Sequence, residues 1–452
     1  MKILMISSEG LGYVLGWQMT CEGHEVKMYI KTPRDRQAGN GFVEKVSKWE
    51  DWLEWCDYVI CDDCGWGKTN DSIRRMGIPV VGGTTLSDAL EEERQTGQQM
   101  FEALGMEVLP SIDFKKIEEA VAYIEKTPSR YVVKVSGKAQ LDKSLTYVGQ
   151  MEDGSDVAPV LEHMANKADL QVNSVQIQKK VDGIEVAIGG FFNGKDFLDP
   201  VFLNFEHKKL MPSRTEQAGT GPTTGEMGTV GIWRDKGFKL YRETLERFIP
   251  ILRKEGYCGY FDINCILEDT IVDDPETGIA FLKKVIRPLE MTNRFGWPTL
   301  PLQMETMKIN DLGELFYGIA TGDIADFKVS HSHSLCVVIG APPLPYKSQE
   351  LADDYSTDMP ILFRNPSDLD GIYPGDAYCD EDGQWRITGY LGYPVVCCSG
   401  EDSIEECQIK TYAKVRNVIV PNAMFREDIG DLIPGKIALM KEFLEHELSK
   451  VL

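Results

Sequence analysis

The chain has 452 residues, 42% of them hydrophobic and 26% charged, a balance ordinary for a globular protein and too apolar for a disordered one. Its 48 basic and 71 acidic side chains leave a net charge of −23, a field that repels a phosphate backbone, so no nucleic-acid partner is expected. No run approaches the roughly 18 apolar residues of a membrane span, and the opening MKILMISSEG lacks a signal peptide's apolar stretch, so the expectation is a cytoplasmic protein with no membrane partner.

At roughly 150 residues per domain, the length suggests three domains. The first is expected at 1–103. KILMIS, a glycine turn, the apolar-spaced YVLGWQMTCEG and HEVKMYI form a βαβ unit, and DYVICDD at 57–63 with GIPVVGG at 77–83 extends the alternation. The fold class expected is α/β, multi-domain, opening with a doubly wound parallel sheet. Gly10, Gly12 and Gly16 have the wrong spacing for a dinucleotide fingerprint, and no acidic residue ends the second strand. The eleven cysteines are an odd, scattered set that reads as reduced thiols; Cys61 and Cys64 form one C-x-x-C with no second pair to complete a zinc site.

From Ser87, a plausible N-cap, the pattern is helical to Gly105. A second domain is expected at 104–325, its small lobe at about 108–186 containing the helix FKKIEEAVAYIEK and the strands RYVVKVSG and VNSVQIQKK. A hairpin is predicted at Asn193 and Gly194, a helix at 236–254, and then the strands GYFDINCILE and KKVIRPLEMTN. Asp273, Asp274 and Glu276 between those strands read as a solvated turn. After about residue 326 the composition turns to Gly, Pro and β-branched runs, so a β-rich third domain is expected at 326–452, with a closing helix over 429–448. His331 and His333 read as a surface loop.

Chemistry-bearing residues cluster in the second domain. The loop GPTTGEMG, Gly221 to Gly228, can wrap charged oxygens with backbone amides, and Glu206, His207 and Lys208 lie just upstream. Lys134 ends a strand where a lysine can reach α- and β-phosphate oxygens, and Lys143 is a second candidate. Glu185 follows a turn, where a carboxylate can accept both ribose hydroxyls. Asp262 and Glu290 are hard oxygen ligands suited to Mg²⁺ if their strands pair. Glu290 and Thr292 share one strand face, Asn293 takes the other, and Arg294 adds a planar fork for a transferring phosphoryl group.

In this order the residues resemble the phosphoribosylamine–glycine ligase (glycinamide ribonucleotide synthetase) family of the ATP-grasp superfamily. The likeness runs over nearly the whole chain: GIPVVGGTTLSDALEEER, HKK with GPTTGEMG, EMTNRFG, CVVIGAPPLPY and FREDIG all look like family blocks. The resemblance implies a central ATP-grasp domain, a C-terminal β-rich domain and an ATP-dependent ligase of purine biosynthesis. Such a ligase joins a carboxylate to an amine through an acyl phosphate, with ATP and Mg²⁺ (or Mn²⁺) as cofactors. Small-molecule substrates and a monomer or homodimer are implied; the alternative is a nucleotide-binding regulatory descendant without turnover.

By the resemblance, Arg294, Lys208 and Gly225 are catalytic, and Lys134, Lys143, Gln178 and Glu185 bind ATP. Asp262, Glu290 and Asn293 hold the metal, while Gly10, Gly12, Thr223, Thr224 and Asp428 contact substrates. Departures from the family pattern are concentrated in three places. The first turn is Ser7 to Val14 instead of GSGGREHA, the alanine- and glycine-rich ATP loop is KAQLDKS, and RFGDPE is RFGWPT. Gln178 and Lys179 replace paired glutamates, Thr292 replaces an asparagine, and Thr223 and Glu226 replace an asparagine and a glycine.

Overall fold

The structure, a computed structural model, describes residues 1–135, 146–165, 175–213, 219–273, 280–346 and 348–445. Apolar runs at the start of the chain form the parallel strands β1 (Lys2–Ser7), β2 (Glu25–Ile30), β3 (Glu44–Lys45), β4 (Tyr58–Cys61) and β5 (Val80–Val81), ordered β3-β2-β1-β4-β5. Helices α1 (Tyr13–Cys21) and α2 (Gly67–Arg75) connect them. The strand order reverses between β1 and β4, so the crevice beyond their carboxyl ends is the natural ligand position of this sheet.

The helix predicted from Ser87 is two helices, α3 (Thr85–Glu92) and α4 (Arg94–Ala103). Glu93 leaves helical geometry at φ −103°, ψ 89°, and Gly97 allows α4 to pack on the Leu90 carbonyl, where an added Cβ would lie 2.6 Å from the oxygen. The N-cap of α3 is Thr84, one residue outside the helix. Its hydroxyl accepts the Ser87 N–H at 3.2 Å, and the Ser87 hydroxyl accepts the Thr84 N–H at 2.7 Å, a reciprocal capping box.

The small lobe is a four-stranded antiparallel sheet. It consists of β6 (Ser111–Phe114), β7 (Tyr131–Val135), β8 (Tyr147–Val148) and β9 (Val175–Lys179), ordered β6-β9-β7-β8, with α5 (Ile117–Lys126) and α6 (Val157–Ala165) packed on it. Val133, Val175 and Ile177 join Ala120, Ile124 and Leu161 in its core. Side chains alternate across a strand, so Lys134, Gln176 and Gln178 lie on the opposite face.

The main sheet begins with β10 (Ile184–Asn193) and β11 (Val201–Glu206), which pair antiparallel. At the predicted hairpin, the Asn193 side-chain oxygen accepts the N–H groups of Lys195 and Asp196, each at 2.9 Å, and Gly194 sits at φ +84°. A short hairpin of β12 (Lys209–Met211) and β13 (Thr220–Thr223) precedes β14 (Gly228–Arg234). The helix predicted over 236–254 is broken at Thr244 into α7 (Lys239–Glu243) and α8 (Leu245–Lys254). Strands β15 (Cys258–Asp273) and β16 (Ala280–Thr292) form a long antiparallel pair; of the turn between them, 274–279 lies outside the described residues.

After α9 (Thr299–Met307) and α10 (Leu312–Thr321), β17 (His333–Ile339) pairs with β14, and Val395–Glu401 pairs with β17. One eight-stranded sheet therefore runs across the boundary expected at 325/326. The apolar runs after 326 complete that sheet as well as folding locally, because its long edge needs partners for its backbone groups. The closing helix is short, Ile433–Leu439 followed by a 3₁₀ turn at Lys441–Leu444, with Pro434 at its start. The predicted remainder, 446–448, lies outside the described residues.

Helix α3 clasps the first domain to the end of β16. Asp88 accepts the Gly67 N–H at 2.6 Å, and Glu91 accepts the Asn293 N–H at 2.8 Å. Removing its cap with Thr84→Ala is expected to cost about 1 kcal/mol and Thr84→Ser much less, read as a lower urea midpoint for the alanine variant.

Candidate active site

One face of the main sheet is apolar and one is polar, by simple alternation. Val186, Ile188, Leu203, Phe205, Ile263 and Met291 enter the core. Their neighbours Glu185, Asn204, Glu206, Asp262, Asn264, Glu290 and Thr292 lie on the other face, and the register sets Asp262 opposite Thr292 and Asn264 opposite Glu290. Asn204 is 2% exposed, Asp262 4% and Asn264 5%, a degree of burial that polar side chains reach only with partners. Asp262 accepts hydrogen bonds from Asn204 at 3.2 Å, Tyr260 at 3.4 Å and Thr292 at 3.5 Å.

Lys208 lies among these carboxylates, its ammonium 2.8 Å from Glu206 and 3.2 Å from Glu185. Burial alone would lower its pKa, but Glu206, Glu185 and Glu290 outweigh it and hold the group well above the usual lysine value. Asp262 is pushed the opposite way from an ordinary carboxylate, up to about 8, by burial and then by Glu206. Such a cluster of oxygen donors with excess negative charge suits a divalent cation. Asn264 stands beside the acid pair, whereas the Asn293 side chain turns toward Asp88, at 3.4 Å, and Cys64. Asn293 follows Thr292 by one position, so the strand period sends it to the other face.

Across the cleft, Lys134 is next to last in β7, its ammonium influenced by Arg94, Glu290, Glu185 and Lys208; burial is the main cause of its lowered pKa, about 8. Gln178 shares its face. Lys143 lies outside the described residues. Arg94, at the first position of α4, is drawn electrostatically toward Glu290 and has a buried nitrogen, Nη1, without a hydrogen-bond partner among the described residues. Its role is invisible in the sequence because it depends on the helix break at Glu93.

The glycine loop spends its amides internally. Thr224 N–H and its hydroxyl both donate to the Lys208 carbonyl, at 2.8 and 2.9 Å, Gly225 N–H donates to the Tyr393 hydroxyl at 2.8 Å, and Met227 N–H donates to the His207 carbonyl at 2.8 Å. Thr223 accepts a hydrogen bond from Lys209 at 2.9 Å. The amide cradle expected from the sequence is thus engaged by neighbours that only the tertiary fold brings near. What the loop presents to the acid cluster is Glu226, 6% exposed, with Oε1 unpartnered among the described residues. Burial, then Glu206, raises its pKa well above the usual carboxylate range.

The remaining candidates are spread more widely. Arg294 donates from Nε to Glu91 at 2.9 Å and faces the first domain. Gly10 adopts φ +89° and donates its N–H to Ser7 Oγ at 2.8 Å, and Gly12 N–H donates to Asp62 at 2.9 Å. Asp428 forms a two-point pair with the buried Arg426, at 2.8 and 2.6 Å. All eleven cysteines carry free thiols, and Cys64 lies 3.4 Å from Asp88.

A Glu226 held protonated in the folded state binds its proton more tightly than in the unfolded chain. Its contribution to stability is full below the ordinary glutamate pKa and falls as pH rises above it. Glu226→Gln, which keeps the shape of the neutral acid, is therefore expected to match the parent's stability near pH 4. At pH 8 it should exceed the parent by about 1–3 kcal/mol, the scale of an unsatisfied buried polar group, read from thermal melts across pH.

Residues 94–260 match the family model described as phosphoribosylglycinamide synthetase, ATP-grasp (A) domain. Along its length the chain is 24% identical to phosphoribosylamine–glycine ligase of Rhizobium meliloti, covering 95% of this chain and 98% of that protein. It is 22% identical to the enzyme of the same name from Streptococcus pneumoniae strain R6, covering 95% and 99%. The fold is that of the crystal structure of phosphoribosylamine–glycine ligase from Thermotoga maritima, with a TM-score of 0.69 at 19% identity over 95% of this chain and 100% of that one.

Proposed function

We propose that this chain, whose residues 94–260 match the phosphoribosylglycinamide synthetase ATP-grasp family model and which along its length is similar to phosphoribosylamine–glycine ligases, is an ATP-dependent ligase joining a small carboxylic acid to an amine. The observation that carries this reading is the polar sheet face bearing Asp262 and Glu290, with Lys134 across the cleft. Relatives named for glycine and phosphoribosylamine supply a substrate precedent.

In this reading Lys134 neutralises the α- and β-phosphates of ATP, Gln178 lies beside the nucleotide, and Glu185 accepts its ribose hydroxyls after exchanging Lys208 for them. Asp262 and Glu290, with Asn264 beside them, hold Mg²⁺, which supplies positive charge against the triphosphate. The cluster fits that ion because Asp262 and Glu206 repel one another without it. Arg94 offers its unpartnered nitrogen to the acid substrate's carboxylate, and Lys208 steadies charge on the transferring group.

The acid's oxygen attacks the γ-phosphorus, the bond to ADP breaks, and an acyl phosphate forms. The neutral amine then attacks the carbonyl carbon, inorganic phosphate departs with its oxygen, and the nitrogen loses a proton. Protein groups act mainly by position and charge, because phosphate is already a good leaving group.

ADP and phosphate release that requires both an acid and an amine, with the condensed product seen by mass spectrometry, is the expected result. Glu290→Gln should lower that turnover by about 10²–10³-fold, as loss of a transition-state charge partner does. MgATP binding without turnover for any pair in a broad panel would instead mark a nucleotide-binding regulator.

A further inference from the structure

A cavity of about 470 Å³ lies between the turn after β1, the helices α3 and α4, and the end of β16. Glu290 and Thr292 reach it from the sheet that carries the proposed metal site, and Ser8 to Gly12 close the opposite wall. A second substrate approaching an activated acid from the first domain must occupy this space.

Its lining is strongly acidic. Among the described residues that line it, carboxylates from Glu9, Asp62, Asp63, Glu91, Glu92 and Glu290 are opposed by two guanidiniums, those of Arg94 and Arg294. Arg294 is already paired with Glu91 at 2.9 Å, and Arg94 feels the Glu290 and Asp113 carboxylates.

The turn itself has the form of an anion site, successive amides at the start of a helix, but the chain fills it with its own carboxylates. Ser8 and Glu9 N–H donate to Asp63 Oδ2 at 2.6 and 3.2 Å, the Ser7 hydroxyl donates to the same oxygen at 3.1 Å, and Gly12 N–H donates to Asp62 Oδ2 at 2.9 Å. A phosphate there would have to displace both carboxyl groups from those donors. Asp62 adds an independent sign of an absent ligand: it is 5% exposed, it lines the cavity, and its Oδ1 has no hydrogen-bond partner among the described residues. Lys45 influences Asp62 from the protein side, yet its ammonium donates to the Ala38 carbonyl.

We infer that this cavity is the amine subsite and that its substrate is a phosphate-free amine carrying a second, protonated nitrogen, bound at Asp62 and the neighbouring acids. The assignment rests on the ligase reading. The reacting nitrogen must be neutral to attack, so the charge that satisfies Asp62 belongs to another basic group on the same molecule. A diamine or a basic amino-acid derivative has this chemistry, and a sugar phosphate amine does not.

Calorimetry on the full chain with 1,4-diaminobutane, n-butylamine and ribose 5-phosphate tests it. The diamine is expected to bind at least about tenfold more tightly than butylamine, with no heat of binding from ribose 5-phosphate. Asp62→Asn should cost the diamine at least about tenfold. Glu9→Gln, whose side chain does not hold the turn, should cost about two- to threefold and decides the matter if the first variant fails to fold. Tighter binding of ribose 5-phosphate than of the diamine, or diamine affinity unchanged in the folded variants, would overturn the assignment. Because binding is read without turnover, a diamine that binds while no acid supports ATP cleavage would count against the ligase reading alone.

Discussion

Carboxylates gathered on one face of an antiparallel sheet govern this molecule. Glu185, Glu206, Asp262 and Glu290 come from four different strands, and the two-residue period of each strand aims them at one cleft while their apolar neighbours build the core. Burial, and then the Glu206 carboxylate, push the Asp262 pKa up to about 8, and the surrounding carboxylates hold the Lys208 ammonium well above the usual lysine value. Such an arrangement costs stability in the free protein, and in the proposed reading a bound cation offsets that cost. The sheet's other face, closed by large aromatic side chains such as Phe192, Phe205 and Phe261, supplies the rigidity that keeps the acids from moving apart.

The first domain answers this cluster with a second set of acids, held differently. At the parallel sheet's switch point, Asp62 and Asp63 fold back on the turn after β1 and take its amides, while Asp88 and Glu91 on α3 bind the chain just beyond β16. The two sheets are therefore joined through hydrogen bonds of the same residues that shape the cavity. The phosphoribosylamine–glycine ligase of Thermotoga maritima shares the fold, so in the proposed reading the turn of this chain bears on what is bound and not on how the chain folds.

Local patterns made much of this legible. The βαβ opening, the strand at DYVICDD, the pairing of the Asp262 and Glu290 strands and the placement of Lys134 at a strand end all follow from periodicity and turn residues, which act over a few positions. The polar residues Asn204, Glu206, Asn264 and Thr292, set every second place in otherwise apolar runs, were a readable signal of a second, wet face. The same period separates Asn293 from the acid pair, although its neighbour Thr292 belongs there. What escaped local reading depends on distant partners. The glycine loop's amides are taken by Tyr393 and by the Lys208 and His207 carbonyls, Arg94 is aimed by the break at Glu93, and the strands after 326 extend a sheet begun at Ile184.

In the proposed ligase reaction the acid's own oxygen attacks the γ-phosphorus at the Asp262–Glu290 face. With the acid labelled by ¹⁸O in its carboxylate, one labelled oxygen is expected in each phosphate released during condensation, detected by mass spectrometry of the phosphate. Phosphate that carries no label, while condensed product accumulates, would contradict it.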